Sequence, residues 1–104
     1  MNILDNPRPR IVTLDDEKEY TLSPLNLYIL GELEEELNCN TTEIIERLKT
    51  RLSQTLAKFI FVLLKDNYAE FKSAKDVGKM IVSVPKIDEL FKTVLDMLTE
   101  STVK

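Results

Sequence analysis

The chain has 104 residues, 14 of them Lys or Arg and 18 Asp or Glu, for a formal net charge of −4; this length suits one folded domain and is too short for two independent cores. With 43% hydrophobic and 31% charged residues, 2 Gly and 4 Pro, the composition is that of a globular protein and not of a disordered one. His is absent, which removes the commonest general base, the commonest metal ligand and every Ser-His or Cys-His pair, and the acidic balance disfavours nucleic acid and anionic membranes as partners.

Residues 1–9, where Pro7 and Pro9 flank Arg8, lack any period and are expected to form a loose arm. They also lack the basic flank and apolar stretch of a signal peptide, so a cytoplasmic location is expected. Next come two short segments rich in β-branched residues and Tyr, Arg10 to Leu14 and Glu19 to Leu22, separated by Asp15-Asp16-Glu17-Lys18. They predict a β-hairpin over 10–22 with a loop built around a type I turn. Alternation puts Val12, Leu14, Tyr20 and Leu22 on one face, which must pack on helices because a lone hairpin is marginal in water.

Ser23-Pro24 reads as a helix start, Ser as N-cap and Pro in the first turn, and the apolar period of Leu25, Tyr28, Leu33 and Leu37 carries that helix to Leu37. Asn38-Cys39-Asn40 breaks it, since Asn tolerates the left-handed conformation that ends many helices. Thr41-Thr42 followed by Glu43 starts a second helical stretch, whose period runs from Ile44 to Leu63 and ends near Asn67. A joint near Leu52-Ser53 divides it, because the first part has a polar face whereas Phe59 to Leu64 is apolar all round. That second part is the expected central buried helix. The apolar run is far shorter than the roughly 20 residues needed to cross a bilayer.

Ser73 opens a short helix to about Val82, and Val84-Pro85 leads into the last, Lys86 to about Thr99, with Ile87, Leu90, Phe91, Val94, Leu95 and Leu98 on one stripe. Asp88 and Asp96 each stand four residues from Lys92, a favourable spacing on the solvent side. The fold expected is mostly α, a small bundle of four to five helices with an N-terminal β-hairpin packed on it. The hairpin occupies 10–22, the helical body 24–99 and a frayed tail 100–104.

The residues that could carry chemistry are few. Asp15, Asp16, Glu17 and Glu19 crowd the hairpin turn but lack the ligand spacing and bend glycine of a calcium loop. Lys72, Lys75 and Lys79 share a helix face, with acidic Asp76 between them and no interleaved aromatic residue. Cys39, the sole cysteine, has no partner for a disulfide and no His beside it. No Gly-rich phosphate loop or metal motif is present, so no enzyme activity, cofactor or metal is expected.

Charge is uneven along the chain: residues 1–52 hold 6 Lys+Arg against 11 Asp+Glu, −5, and residues 53–104 hold 8 against 7, +1. Within the acidic half, Glu32, Glu34, Glu35 and Glu36 lie in the last turns of a helix, where the macrodipole disfavours negative charge. Glu32 and Glu36 also repel each other four residues apart. Such a local conflict marks either a surface kept for a partner or a solubilising face. The candidate protein-binding residues are Glu32, Glu35 and Glu36, extended by Leu25, Tyr28, Phe91 and Met97, each of which could instead belong to the core.

The order of hairpin, Ser-Pro-led helix ending in Leu33-Glu34-Glu35-Glu36-Leu37, Thr41-Thr42-Glu43-Ile44-Ile45, apolar helix at Thr55 to Leu64, Ser73 to Val82 segment and closing Ile87 to Leu98 helix resembles the small tail assembly chaperones of long-tailed bacteriophages. The resemblance covers most of residues 10–99 and rests on element order and apolar pattern. It departs from the family at Asn38-Cys39, where a glycine is expected. It implies a helical, non-enzymatic chaperone in the host cytoplasm that coats the tape-measure protein and helps recruit tail-tube subunits, with self-association plausible and neither nucleic acid nor membrane as partner. The alternative is a small helical regulatory adaptor that sequesters a transcription or signalling factor, and a nucleic-acid module on the Lys72 to Lys86 side is third.

Overall fold

Strand β1 (Arg10–Thr13) pairs antiparallel with strand β2 (Glu19–Leu22), with Val12 opposite Tyr20 and Arg10 opposite Leu22. Alternation works as expected: Val12, Leu14, Tyr20 and Leu22 are all buried, while Ile11 points outward. The turn closes through Glu17 N–H donating to the Leu14 carbonyl at 2.9 Å, with Glu17 in the left-handed region at φ 66°. The far edge of β2 is tied down by long-range contacts: Thr21 N–H donates to the Tyr68 phenol oxygen at 2.9 Å and Ser23 N–H to the Leu63 carbonyl at 3.0 Å. The computed structural model describes residues 10–102, with side chains described through Thr99. The loose arm expected at 1–9 and the last two residues of the expected frayed tail lie outside the described residues.

Helix α1 (Leu27–Leu37) begins three residues later than Ser23-Pro24 suggests. Its N-cap is Asn26, in extended backbone, whose side chain accepts from Ile29 N–H at 2.8 Å; Asn and Ser are comparable caps, so contacts elsewhere decide. Ser23 is committed to Leu63, and residues 23–26 span the step from sheet to helix. At the other end Asn38 takes the left-handed conformation, φ 55° and ψ 46°, and Cys39 N–H donates to the Glu34 carbonyl at 3.2 Å. Asn thus supplies the left-handed helix end for which glycine is the commonest residue.

Helix α2 (Thr41–Thr50) is capped by Asn40, one residue before the expected Thr pair. Glu43 N–H donates to the Asn40 side chain and Asn40 N–H to the Glu43 carboxylate, both at 3.1 Å, a reciprocal capping box. The expected joint is real. It lies at Arg51, φ −137° and ψ 58°, and helix α3 (Leu52–Leu64) starts immediately after it, so Ser53 is inside the helix and not its cap. Helix α3 stops at Leu64, short of Asn67, and a turn follows.

Every residue from Phe59 to Leu64 is buried, and α3 packs against α1, α2 and β2. It also contacts helix α4 (Ala74–Gly78) and helix α5 (Val84–Thr102), making it the centre of the molecule. The one buried polar side chain among the described residues, Thr55, donates to the Arg47 carbonyl at 3.2 Å, so its hydroxyl is satisfied. Under the hairpin, Tyr20, Tyr68 and Phe71 meet edge to face, with ring centroids 5.0 to 6.5 Å apart.

Helix α4 ends at Gly78, four residues before Val82, because the Met80 carbonyl accepts the Asp15 N–H at 2.9 Å and the chain turns toward the hairpin. Helix α5 starts at Val84, earlier than Lys86, with Pro85 in its first turn. It continues through Thr102, three residues into the tail expected to fray. The buried stripe of Leu90, Val94, Met97 and Leu98 holds its far half against the core. The architecture is therefore mostly helical with an N-terminal hairpin, as the sequence pattern predicts.

Candidate functional site

The four glutamates of α1 divide between two tasks. Lys65, the residue after α3, donates to the Glu32 carboxylate, and both side chains are less than one-third exposed. That hydrogen bond raises the Lys65 pKa above its ordinary value despite partial burial. Glu34 turns toward α2, where its carboxylate accepts from Thr41 N–H at 3.1 Å and from the Thr41 hydroxyl at 2.6 Å. Arg47 reaches back from α2 and donates to the Leu37 carbonyl at 3.1 Å, placing a positive charge at the C-terminal end of α1. Much of the charge conflict seen in the sequence is thus resolved inside the fold. Glu35 is exposed, Glu36 is half-buried, and neither has a hydrogen-bond or ion-pair partner among the described residues.

The other predicted residues separate in the same way. Leu25 and Met97 are core side chains, 8% and 5% exposed, so they offer no surface to a partner. Phe91 is half-buried and packs on the core from α5, whose main contacts are with α2 and α3. Tyr28 stays on the surface at 59% exposure, and Leu27 beside it is 86% exposed. One turn on, Gly31 is exposed, and a Cβ placed there would meet nothing within 4 Å. Leu27, Gly31 and Glu35 therefore form one row along the outside of α1, four residues apart, with Tyr28 alongside. Ile29, Leu33 and Leu37 bury the opposite face.

A second apolar surface was not singled out by the sequence. Ile11, Val82 and Val84 are 62%, 72% and 75% exposed. Two contacts bring their segments together: Asp15 accepts from Ser83 N–H at 3.2 Å, and the Lys86 ammonium donates to the Thr13 hydroxyl at 2.6 Å. Strand alternation opposite Val12 was the available signal for Ile11. Nothing local distinguishes Val82 and Val84 from core residues, since they flank a helix break whose direction is set by the hairpin.

The acidic hairpin turn is occupied with structure. Asp16 accepts from Lys18 N–H at 3.0 Å and from the Tyr20 hydroxyl at 2.7 Å, and Asp15 holds the segment just before α5 through Val82 and Ser83. These hydrogen bonds, Val82's foremost for Asp15 and Tyr20's for Asp16, hold both carboxyls below the ordinary value. Among the described residues no three acidic or cysteine side chains converge as a cation site. Lys72, Lys75 and Lys79 are exposed, but α4 spans five residues only, and Asp76, which accepts from Lys72 N–H at 2.8 Å, stays among them. Burial pushes the Cys39 thiol up, away from the reactive thiolate. The depression at the α2–α3 joint is lined by Thr50, Arg51, Leu52, Ser53 and Gln54, a single run of chain open to solvent.

No helix among the described residues is long and apolar enough to cross a membrane. Comparison of the chain with protein-family models, with curated proteins and with solved structures gives no match.

Proposed function

We propose that this chain is a non-enzymatic chaperone of phage tail assembly, which covers the apolar stripes of a long helical tape-measure protein in the host cytoplasm and helps bring tail-tube subunits to it. The observation that carries this reading is the row on α1: a helix whose inner face is fully buried presents Leu27 and Tyr28 to solvent beside the exposed carboxylate of Glu35. Burying a side chain of that size is worth on the order of 1.5–3 kcal/mol, so the two together supply a useful but modest affinity. Modest contacts suit an extended client with many similar stripes, on which several copies act in concert and then leave. The order of elements over residues 10–99, which resembles the tail chaperones, supplies the client.

The test is co-expression with the tape-measure protein, the very long helical client that this reading predicts at the same locus, followed by soluble yield and complex stoichiometry. The client is expected to be soluble only with its chaperone and to co-elute with several copies at low salt. A client equally soluble alone, with no complex surviving size-exclusion chromatography, refutes this reading and favours a regulatory adaptor.

A further inference from the structure

We infer that the outward row of α1 docks one amphipathic helix of the client, and that this helix carries a Lys or Arg about two turns from its apolar anchor. The inference rests on the chaperone reading only in taking the client to be helical. Leu27, Gly31 and Glu35 stand at consecutive i+4 positions, the spacing of the ridges along which helices interdigitate. Leu27 and Tyr28 form a knob, 86% and 59% exposed. Gly31, with nothing within 4 Å of a Cβ placed on it, leaves a notch behind that knob. A partner's large apolar side chain seated in the notch packs against Leu27 and Tyr28, and the missing side chain lets the two helix axes approach toward the close end of the 8–10 Å range.

Charge fixes the partner's chemistry. Of the four glutamates on α1, Glu32 is neutralised by Lys65 and Glu34 is held by Thr41. Glu36 is half-buried, and Glu35 alone of the four is exposed, on the same row as Leu27 and Gly31. From Leu27 to Glu35 is eight residues, about 12 Å along the helix. A Lys or Arg at that distance from the anchor meets the exposed Glu35 carboxylate. An acidic helix in the same place meets repulsion there, so the row discriminates as well as binds.

The experiment uses the whole ¹⁵N-labelled chain and two helical peptides of about 18 residues, long enough to hold helix. Both carry a Leu stripe; one has Lys and the other Glu two turns from the central Leu. The Lys peptide is expected to shift the amides of Leu27, Tyr28, Gly31 and Glu35, and to weaken about fivefold against Glu35→Lys, with the Glu peptide then preferred. Gly31→Leu is expected to raise the melting temperature, as a better helix former in open space, yet to weaken the Lys peptide about tenfold. A folding defect cannot produce that combination. Equal affinity for the two peptides, shifts centred on Ile11, Val82 and Val84, or no binding overturns the inference. If Gly31→Leu keeps the tape-measure protein as soluble as the unaltered chain does, the α1 site fails and the chaperone reading stands. If the unaltered chain does not solubilise that client, the chaperone reading fails, and the peptide titration alone judges the site.

Discussion

Asp15, on the hairpin turn, accepts a hydrogen bond from Ser83 N–H at 3.2 Å across 68 positions of sequence, and its own N–H donates to the Met80 carbonyl at 2.9 Å. The carboxylate also accepts from Val82 N–H and lies at the N-terminal end of α5, where negative charge is favoured. One side chain thus anchors the segment leading into α5 and fixes the hairpin to the bundle. Asp15→Ala is expected to lower the melting temperature by several degrees, and Asp15→Asn, which keeps an acceptor oxygen, by less. Because the folded-state pKa is lowered, this stabilisation is present above the ordinary value of 3.8 and is lost as pH falls through the folded value. Melting curves from pH 7 to pH 2 check both points: a slope unchanged by Asp15→Ala below pH 4 refutes the linkage.

Tyr68 is the acceptor for the outward N–H of Thr21, at 2.9 Å, and belongs to the edge-to-face trio with Tyr20 and Phe71. Tyr68→Phe keeps the ring packing and removes the acceptor. The expected cost is about 1 kcal/mol, the low end of the range for a donor left without a partner, seen as a drop of roughly 4–8 °C in Tm. Amide exchange at Thr21 should accelerate with it. Unchanged exchange there would mean that water replaces the phenol without loss.

Burial, aided by the Asp16 carboxylate, pushes the Tyr20 phenol up to about 12 from its ordinary 10.0. The folded state therefore holds this proton more tightly than the unfolded chain. Its contribution is complete below pH 10 and disappears as pH rises toward 12. Lys65, raised by its bond to Glu32, acts in the same direction at the alkaline end. Urea denaturation at pH 9, 10 and 11 should show stability falling, and Tyr20→Phe should flatten that fall. A wild-type profile level from pH 9 to 11 contradicts the assignment.

The α1 glutamates supply a prediction on which sequence and structure part. Sequence alone treats Glu32, Glu35 and Glu36 as one repulsive patch, so that each Glu→Gln stabilises the free protein. The structure pairs Glu32 with Lys65, 33 positions away. Glu32→Gln is now expected to destabilise by up to about 1 kcal/mol, the upper range for a partly exposed ion pair. Glu35→Gln and Glu36→Gln are still expected to stabilise by a few tenths of a kcal/mol. Three single variants measured by denaturant unfolding separate these signs.

The same contrast explains what was legible in the sequence. Period-two alternation identified the buried faces of the hairpin, and all-round apolarity identified Phe59 to Leu64 as the centre, because both follow from local pattern. Helix ends were less legible wherever a distant group decides them. Ser23 is drawn to Leu63, so Asn26 caps α1; Met80 is drawn to Asp15, so α4 ends early. For the candidate site, Glu35 was visible as a charged position on a helix, whereas Tyr28, read on the apolar stripe and weighed as partner surface or core, is shown to be exposed only by the fold. Leu27 was not singled out, because an apolar residue in the first turn of a helix looks like core until the helix is docked. Leu25 and Met97, weighed as partner surface or core, lie in the core. Gly31 carries no sequence signal of its role, since the space above it exists only in three dimensions.

That space yields a sharp expectation for Gly31→Ala. Glycine within a helix costs about 1 kcal/mol relative to alanine, through backbone freedom lost on folding. Gly31 lies inside α1 with no positive φ to require glycine and nothing within 4 Å of the added methyl. No packing penalty therefore opposes the gain. Stability should rise by about 1 kcal/mol, with the denaturation midpoint shifted upward and the m-value unchanged, because little apolar surface exposed on unfolding is added. Retaining a destabilising glycine on an open helix face is what a docking notch requires, and the methyl should accordingly weaken the client complex even as it strengthens the fold. Paired measurement of urea midpoint and client affinity decides the matter. Gain in both quantities makes Gly31 a neutral position, and loss of stability means that the space above it is already filled in solution.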